Sequence, residues 1–385
     1  MSGTSADGID AALVEISEDG TEFPRARLVD FRYEPFEPAL RERLLTLCEP
    51  TAGLVEAGSA HALLGRRFGR AAAALMAAAG VAPEAVRVIG SHGQTVAHYP
   101  AGAEGDGDGP FTIQLGEPAL IAEIAGVPVV SDFRAHDLAL GGEGAPLVPY
   151  FDYALWRSAD ETRVLLNLGG IANITVLAAG RGAEGAVAFD TGPANMVLDS
   201  AAQILSGGRL ARDEDGAWAA RGRVRPELLE RWLGHPYFAR PWPKSTGREL
   251  FGHHYTRARL AEAQAAGADE ADAMATLTAL VARSVARAAS AAAGGPLALI
   301  AAGGGVHNRA LMARLAADLP LVRPWQTSDA YGVPADAKEA MAFAYLAWQF
   351  CAGRTTSLPS VTGARRAAAL GVWTPASARP ARPPR

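Results

Sequence analysis

Three apolar runs in this 385-residue chain, Val86 to Gly90, Arg163 to Leu168 and Leu297 to Ala302, each pass directly into glycine and then into a further strand or a helix. A β-branched or leucine-rich run stopped by a glycine turn reads as a strand with a tight joint, and strands that alternate with helical patterns define an α/β fold. Between Gly267 and Gly294 the apolar positions Met274, Leu277, Val281, Val285 and Ala288 recur at helical spacing, and Gly294-Gly295-Pro296 ends the pattern. A second helix is expected from Ala335 to Phe350, with Ala340, Phe343, Ala344 and Ala347 on one face. The length suits two domains or one large two-lobed one.

Composition narrows the function. Lys and Arg number 36 against 41 Asp and Glu, a formal net charge of −5, which argues against a nucleic-acid surface built from bulk charge. Cys48 and Cys351 are far apart and lack ligand spacing, so neither a disulfide framework nor a zinc site is expected. The chain opens on polar residues and glycine, without a charged n-region and apolar h-region, and its apolar stretches are too short to span a bilayer. These features predict a soluble cytoplasmic protein that works on small molecules, with no nucleic-acid or membrane partner. The acidic, glycine-rich stretch from 101 to 110, with Glu104, Asp106 and Asp108, reads as a solvated hairpin loop because it lacks the remaining ligands of a calcium loop. The Pro/Arg-rich end from Ala376 to Arg385 reads as disordered.

Three glycine joints carry the chemistry. MSGTSADGID at the start offers small residues, two hydroxyls and flanking carboxylates ahead of a strand, a turn suited to phosphates; no Gly-Lys-Ser/Thr follows, so it is not a Walker A loop. NLGGIANIT, residues 167 to 175, forms a second glycine turn inside a β-hairpin, and AAGGGVHN, residues 301 to 308, puts three glycines between a strand and a helix, where backbone can lie against a planar base. Asp190, in AFDTGPAN, reads as a strand-end carboxylate before a tight turn: either a general base or a cap for the helix that follows. Arg134, after a short apolar strand, suits an anionic group or a salt bridge, and Lys244, Ser245, Thr246 and Arg248 follow prolines in an anion-binding or simply rigid loop.

The ordered set MSGTSADGID, GSHGQTVAH, QLGEPALIAE, SDFRAHDLALGGEGAPLVP, LNLGGIANIT, FDTGPANMVLD, HPYFARPWPKSTGRE, AAGGGVHNRALM and DAKEAMAFAYLA resembles the anhydro-N-acetylmuramic acid kinase family over nearly the whole chain. The resemblance implies an α/β, two-lobed actin-like ATPase (ribonuclease H-like) fold with a central interlobe cleft. Lobe I would comprise residues 1–131 and 347–385, and lobe II residues 132–346. It also implies use of ATP and Mg²⁺, a homodimer, and a role in recycling cell-wall sugar.

In this frame Gly3, Thr4, Ser5, Ala6, Asp7, Gly8, Ile9 and Asp10 form the first phosphate loop, Gly169, Gly170 and Asn173 the second, and Gly303, Gly304, Gly305 and Asn308 the adenosine loop. Asp190 is the expected base, and His92, Thr95, Arg134, Asn195 and Glu339 the expected sugar contacts, with Arg134 suited to a lactyl carboxylate. Direct metal ligands are unassigned; Asp7 could hold a metal through water. The alternatives are a kinase for another 1,6-anhydrosugar such as levoglucosan, or a nucleotide-gated binding protein of the actin and chaperone kind. Two departures stand out. Members usually carry a strand ahead of MSGTS, so either the start lies upstream of Met1 or the first lobe loses an edge of its sheet, and Glu143 replaces a typical glutamine.

Overall fold

The computed structural model describes residues 1–3, 6–18, 20–102 and 109–377. Thr4, Ser5, the acidic residues Glu104, Asp106 and Asp108, and the expected disordered end from 378 onward lie outside the described residues. The chain divides into two compact units, Met1–Leu155 with Ala337–Arg385, and Trp156–Asp336.

In the first unit, β1 (Gly8–Ser17) and β2 (Arg25–Pro35) form an antiparallel pair with a bulge at Leu13/Val14. β3 (Ile89–Gly90) continues through the turn into β4 (Gln94–Tyr99), which pairs antiparallel with β5 (Phe111–Leu115) as the expected hairpin. β6 (Val129–Ser131) lies parallel to β3, and β12 (Val372–Thr374) runs antiparallel on its other side. The helix Leu54–Ala78 buries Leu64 and Phe68 against Ile121 of the helix Pro118–Ala125, closing the core with Ile9 and Val129. The helix Lys338–Cys351 lies on β3 so closely that a Cβ at Gly90 would stand 2.1 Å from the Phe343 carbonyl oxygen. That contact requires glycine.

Met1 exchanges both backbone hydrogen bonds with Asp10, and Ser2 forms a parallel bridge to Gln94. Beyond this point β1 and β3 flank a cavity of about 480 Å³, lined by Leu13, Val14, Leu75 and Ile89 together with the charged Glu15 and Arg27. β1 and β3 therefore belong to separate sheets, β1 paired with β2 and β3 with β6.

The second unit is a five-stranded sheet in the order β11-β10-β7-β8-β9. β7 (Arg163–Leu168), β8 (Ile171–Leu177) and β9 (Ala186–Pro193) form an antiparallel meander, while β10 (Ala298–Ala302) and β11 (Gln326–Thr327) add in parallel. The helix Glu270–Ala293 crosses this sheet with Met274, Leu277, Val281 and Val285 buried. Its start is capped by Asp269, which accepts from the Asp272 N–H, and Gly294 ends it in the left-handed region, as the Gly-Gly-Pro stop predicts.

The division differs from the expected boundaries at 131/132 and 346/347. Residues 132–155 and 337–346 belong to the first unit because their side chains are spent there. The Phe133 ring packs 5.3 Å from Phe343, the Asp137 carboxylate accepts from the Thr362 hydroxyl at 2.8 Å and the Gly144 N–H at 2.8 Å, and Lys338 pairs with Asp152 at 2.8 Å in a buried ion pair. Breaking such a pair leaves an unpaired buried charge, so 152 and 338 stay together.

Candidate active site

In the second unit, one row of polar side chains crosses three neighbouring strands of the sheet. Asn167 of β7 stands opposite Asn173 of β8, and Asn173 opposite Asp190 of β9. Residues directly opposite in neighbouring strands share a face, so the three project together from the sheet, each partly accessible between buried neighbours. Asn167 carries no motif of its own; its signal in the sequence is that it and Asn173 stand three residues to either side of Gly170.

Asp190 is not at a strand end. β9 continues to Pro193, and the register slips so that Ala172 faces Gly192 while Asn173 faces Asp190, leaving Thr191 as an extra residue. A bulge re-aims a side chain at a sheet edge, which the residue pattern alone did not disclose. The capping alternative is excluded: the helix Asn195–Leu205 starts from Ala194 without a side-chain cap, and the Asp190 carboxylate instead accepts the Thr246 N–H at 2.9 Å. Burial pushes the Asp190 carboxyl up to about 6, the Thr246 N–H pulls it back, and the nearby charge of Glu249 adds to the rise. A carboxyl poised there can accept a proton near neutral pH. Asp199 is pushed up to about 6 as well, again by burial, with Arg212 drawing it down.

The glycine joints converge on the first strand of this row. Gly169 and Gly170 turn β7 into β8, and their carbonyls accept from the backbone N–H groups of Asn195 at 3.0 Å and of Ala194 and Met196 at 2.9 and 3.1 Å. Gly303 has φ +83°, and a Cβ there would lie 2.7 Å from Asn167 Oδ1 and 2.8 Å from the Leu168 carbonyl oxygen. Gly305 packs as tightly on Leu168, while Gly304 lies between them with more room. The second and third glycine loops are therefore one surface. Beside it, Val306, His307, Met312, Trp325 and Asp215 line a cavity of about 450 Å³. Asn308 is a helix cap, its side chain accepting from the Leu311 N–H at 2.9 Å. Asn195 donates its amide to the Leu168 carbonyl at 3.0 Å, so it braces the turn from behind.

In the first unit, the opening turn is tied down by Gln94, nearly fully buried, whose amide donates to the Gly3 carbonyl at 3.2 Å and whose oxygen accepts from the Ser2 hydroxyl at 2.6 Å. Ala6 takes a positive φ of 49°, and its N–H donates to the Gly3 carbonyl at 3.1 Å. Gly8 sits under the Tyr33 ring and Ile9 in the core, whereas the Asp7 side chain faces solvent, its backbone carbonyl accepting from Tyr33 and Phe36. Asp10 pairs through its backbone with Met1. Gln94 belongs with the opening loop although only Thr95, beside it, was expected to function. Thr95 accepts from Gln114 at 3.3 Å through its hydroxyl.

The buried His92 and the half-buried Arg134 form one hydrogen-bonded unit. The guanidinium donates to His92 Nε2 from Nε and Nη2 at 3.1 and 2.9 Å and to the Gly144 carbonyl from Nη1 at 2.8 Å, while the other ring nitrogen of His92 bonds the Gly93 carbonyl. Burial and the Arg134 charge hold His92 well below the usual imidazole range, so the ring is neutral and both its nitrogens are occupied. His92 thus orients Arg134 and leaves no polar atom for a sugar, contrary to its expected role. Desolvation lowers Arg134 to about 10, with Glu339 and Asp137 supporting its charge. Glu339 keeps solvent contact at the start of its helix, yet the protein packed around its carboxyl holds it above the usual carboxylate range, while Lys338 and Arg134 draw it back. Glu143, where a glutamine is typical, is exposed; its backbone N–H donates to the Thr362 carbonyl and its backbone also hydrogen-bonds His98.

Each compact unit is α/β; the second carries a glycine hairpin packed on a glycine-rich strand-to-helix joint, and the first carries a further glycine loop, features in keeping with a phosphate-binding protein. The model of the anhydro-N-acetylmuramic acid kinase family matches residues 1–376. Anhydro-N-acetylmuramic acid kinases from Gloeobacter violaceus and Salinibacter ruber are 45% and 46% identical to the chain, covering 98% and 96% of it and 97% and 94% of their own lengths. That from Caldanaerobacter subterraneus subsp. tengcongensis is 42% identical, over 96% of this chain and 94% of its own. The chain belongs to the anhydro-N-acetylmuramic acid kinase family. A solved ROK family glucokinase from Streptomyces griseus in complex with glucose and AMPPNP, 13% identical with a TM-score of 0.34 over 88% of this chain and all of its own, adds nothing to that assignment.

Proposed function

We propose that this chain uses ATP and water to convert 1,6-anhydro-N-acetylmuramic acid into N-acetylmuramic acid 6-phosphate and ADP, in the recycling of cell-wall sugar. The observation that carries the mechanism is Asp190: one carboxylate oxygen is held by the Thr246 N–H, and the side chain stands in the polar row that begins beside the Gly169-Gly170 turn. Asp190 takes a proton from water as the water oxygen bonds to the anomeric carbon. The bond from that carbon to the bridging oxygen breaks, and the released oxygen at carbon six takes the γ-phosphoryl group as ADP departs. Backbone donors of the glycine loops neutralise charge on the phosphates, and the cavity beside Val306 and Trp325 suits the planar base.

The donor set fits Mg²⁺ brought in with the nucleotide. Among the described residues no group of three His, Cys, Asp or Glu side chains could cage a metal. Mg²⁺ in phosphoryl-transfer sites typically keeps waters and takes one or two carboxylates plus phosphates, a role open to the solvent-facing Asp7. When bound, the ion neutralises phosphate charge. Arg134, fixed by His92 and Gly144, is the partner for the lactyl carboxylate of the sugar, and Glu339 lies near enough in charge to tune it. Its likeness to the family supports reading the chain as a cytoplasmic homodimer. Separately, no helix among the described residues is long and apolar enough to cross a membrane.

ADP release measured with anhydromuramic acid, levoglucosan, free muramic acid and no sugar tests the reading. Turnover specific to anhydromuramic acid is expected. Preference for levoglucosan would reassign the substrate, and equal release without sugar would indicate a nucleotide-gated protein.

A further inference from the structure

β9 is the last strand of its sheet, and at Asp190 it is also bulged. A carboxylate on a bulged edge strand lacks a neighbouring ladder on one side and is poorly held by the sheet alone. The missing support comes from a segment distant in sequence. The Asp190 N–H donates to the Lys244 carbonyl at 3.0 Å, the Asp190 carbonyl accepts from the Tyr237 hydroxyl at 2.7 Å, and the carboxylate accepts from the Thr246 N–H at 2.9 Å.

Lys244 closes the ring. Its ammonium donates to the Tyr237 and Phe238 carbonyls at 3.2 Å each and lies 4.8 Å from the centre of the Tyr237 ring. Tyr237 itself is 1% exposed and packs edge-on to Phe251 at 5.4 Å. A lysine directed at backbone carbonyls and a ring face stiffens the loop it belongs to. The structure thus draws one closed path: Asp190 to Lys244 through backbone, Lys244 to Tyr237 through the ammonium, and Tyr237 back to Asp190 through the phenol.

We propose that Tyr237 and Lys244 are positioning residues for Asp190, fixing the direction of its carboxylate without touching the sugar. The inference rests on the reading of Asp190 as the base. A displacement of about 1 Å in a reacting group can cost about 10²-fold in rate, so a clasp of this kind would act on turnover and leave nucleotide binding alone. The charged groups near the clasp are Glu249, which faces Asp190 from the helix Arg248–Phe251, and Arg240, which faces Tyr237 and Lys244.

The test is Tyr237→Phe and Lys244→Met, each in the wild-type and Asp190→Asn backgrounds, with kcat, KM for ATP, the pH profile of kcat and melting temperature measured on the full chain. Tyr237→Phe keeps the buried ring and removes only the hydroxyl, so it carries the test even where Lys244→Met folds poorly. The expected result is a kcat lowered roughly 10- to 100-fold, an unchanged KM for ATP, a displaced acid limb, and no further loss when Asp190 is already Asn. A folded Tyr237→Phe protein with wild-type kcat and pH profile would overturn the inference while leaving the function intact, as would losses that multiply with Asp190→Asn. A wild-type protein inert towards anhydromuramic acid would remove both readings.

Discussion

Asn195 holds two consecutive carbonyls of the glycine turn, Leu168 through its side-chain amide and Gly169 through its backbone N–H, both at 3.0 Å. One residue at the start of a helix therefore sets the shape of a loop in another part of the unit. Asn195→Asp keeps the volume and removes the side-chain donor, setting two oxygens against each other. The expected outcome is a rise in KM for ATP with KM for the sugar little changed, corresponding to a loss of about 1–3 kcal/mol. Steady-state kinetics with each substrate varied separately would show it; a change confined to the sugar would return Asn195 to the substrate contacts.

Asp190→Asn should lose turnover and gain stability. General-base contributions are roughly 10²–10⁴ in rate, and the amide cannot accept the proton. The folded carboxyl is raised from 3.8 to about 6, so the folded state holds the proton more tightly than the unfolded chain. That contribution is fully present below the unfolded value and is lost as pH rises through about 6, at a ceiling of about 3 kcal/mol. The Asn variant should therefore melt higher than the wild type at neutral pH, with the difference closing towards about pH 4. Wild-type kcat/KM should rise with pH through the same window. A variant less stable at neutral pH would mean that burial does not strain this carboxylate.

Arg134→Ala should weaken anhydromuramic acid far more than levoglucosan, since only the former carries a carboxylate. A charge-assisted hydrogen bond of this kind is worth roughly 1.5–3 kcal/mol, or about 10- to 150-fold in kcat/KM. Because the guanidinium also bonds His92 and the Gly144 carbonyl, an equal loss for both sugars would show that it only supports the fold.

The first product should be the α-anomer. The bridging oxygen of the anhydro sugar occupies the β face of the anomeric carbon, so water aligned for displacement arrives from the opposite face. Proton NMR during early turnover, before mutarotation, reports the configuration. A β-first product would point to a covalent intermediate or to prior hydrolysis.

The local signals were legible in the chain because they depend on neighbours in sequence. Periodicity marked the helix Glu270–Ala293, and glycine after an apolar run marked the turn at Gly169-Gly170 and the joint at Gly303 to Gly305. Asp190 stood out as a carboxylate within such a pattern. What neighbours in sequence do not encode is register and long-range hydrogen bonding. The bulge at Thr191, the alignment of Asn167 and Asn173 with Asp190, and the clasp from Tyr237, Lys244 and Thr246 arise only once strands pair and a distant segment packs against them. The same reason reassigns His92 from sugar to Arg134, and residues 132–155 and 337–346 to the first unit. Sequence alone determined the α/β class, the glycine loops and the carboxylate; tertiary structure decided which polar atoms are already spent, because a buried donor or acceptor takes the partner that packing brings to it.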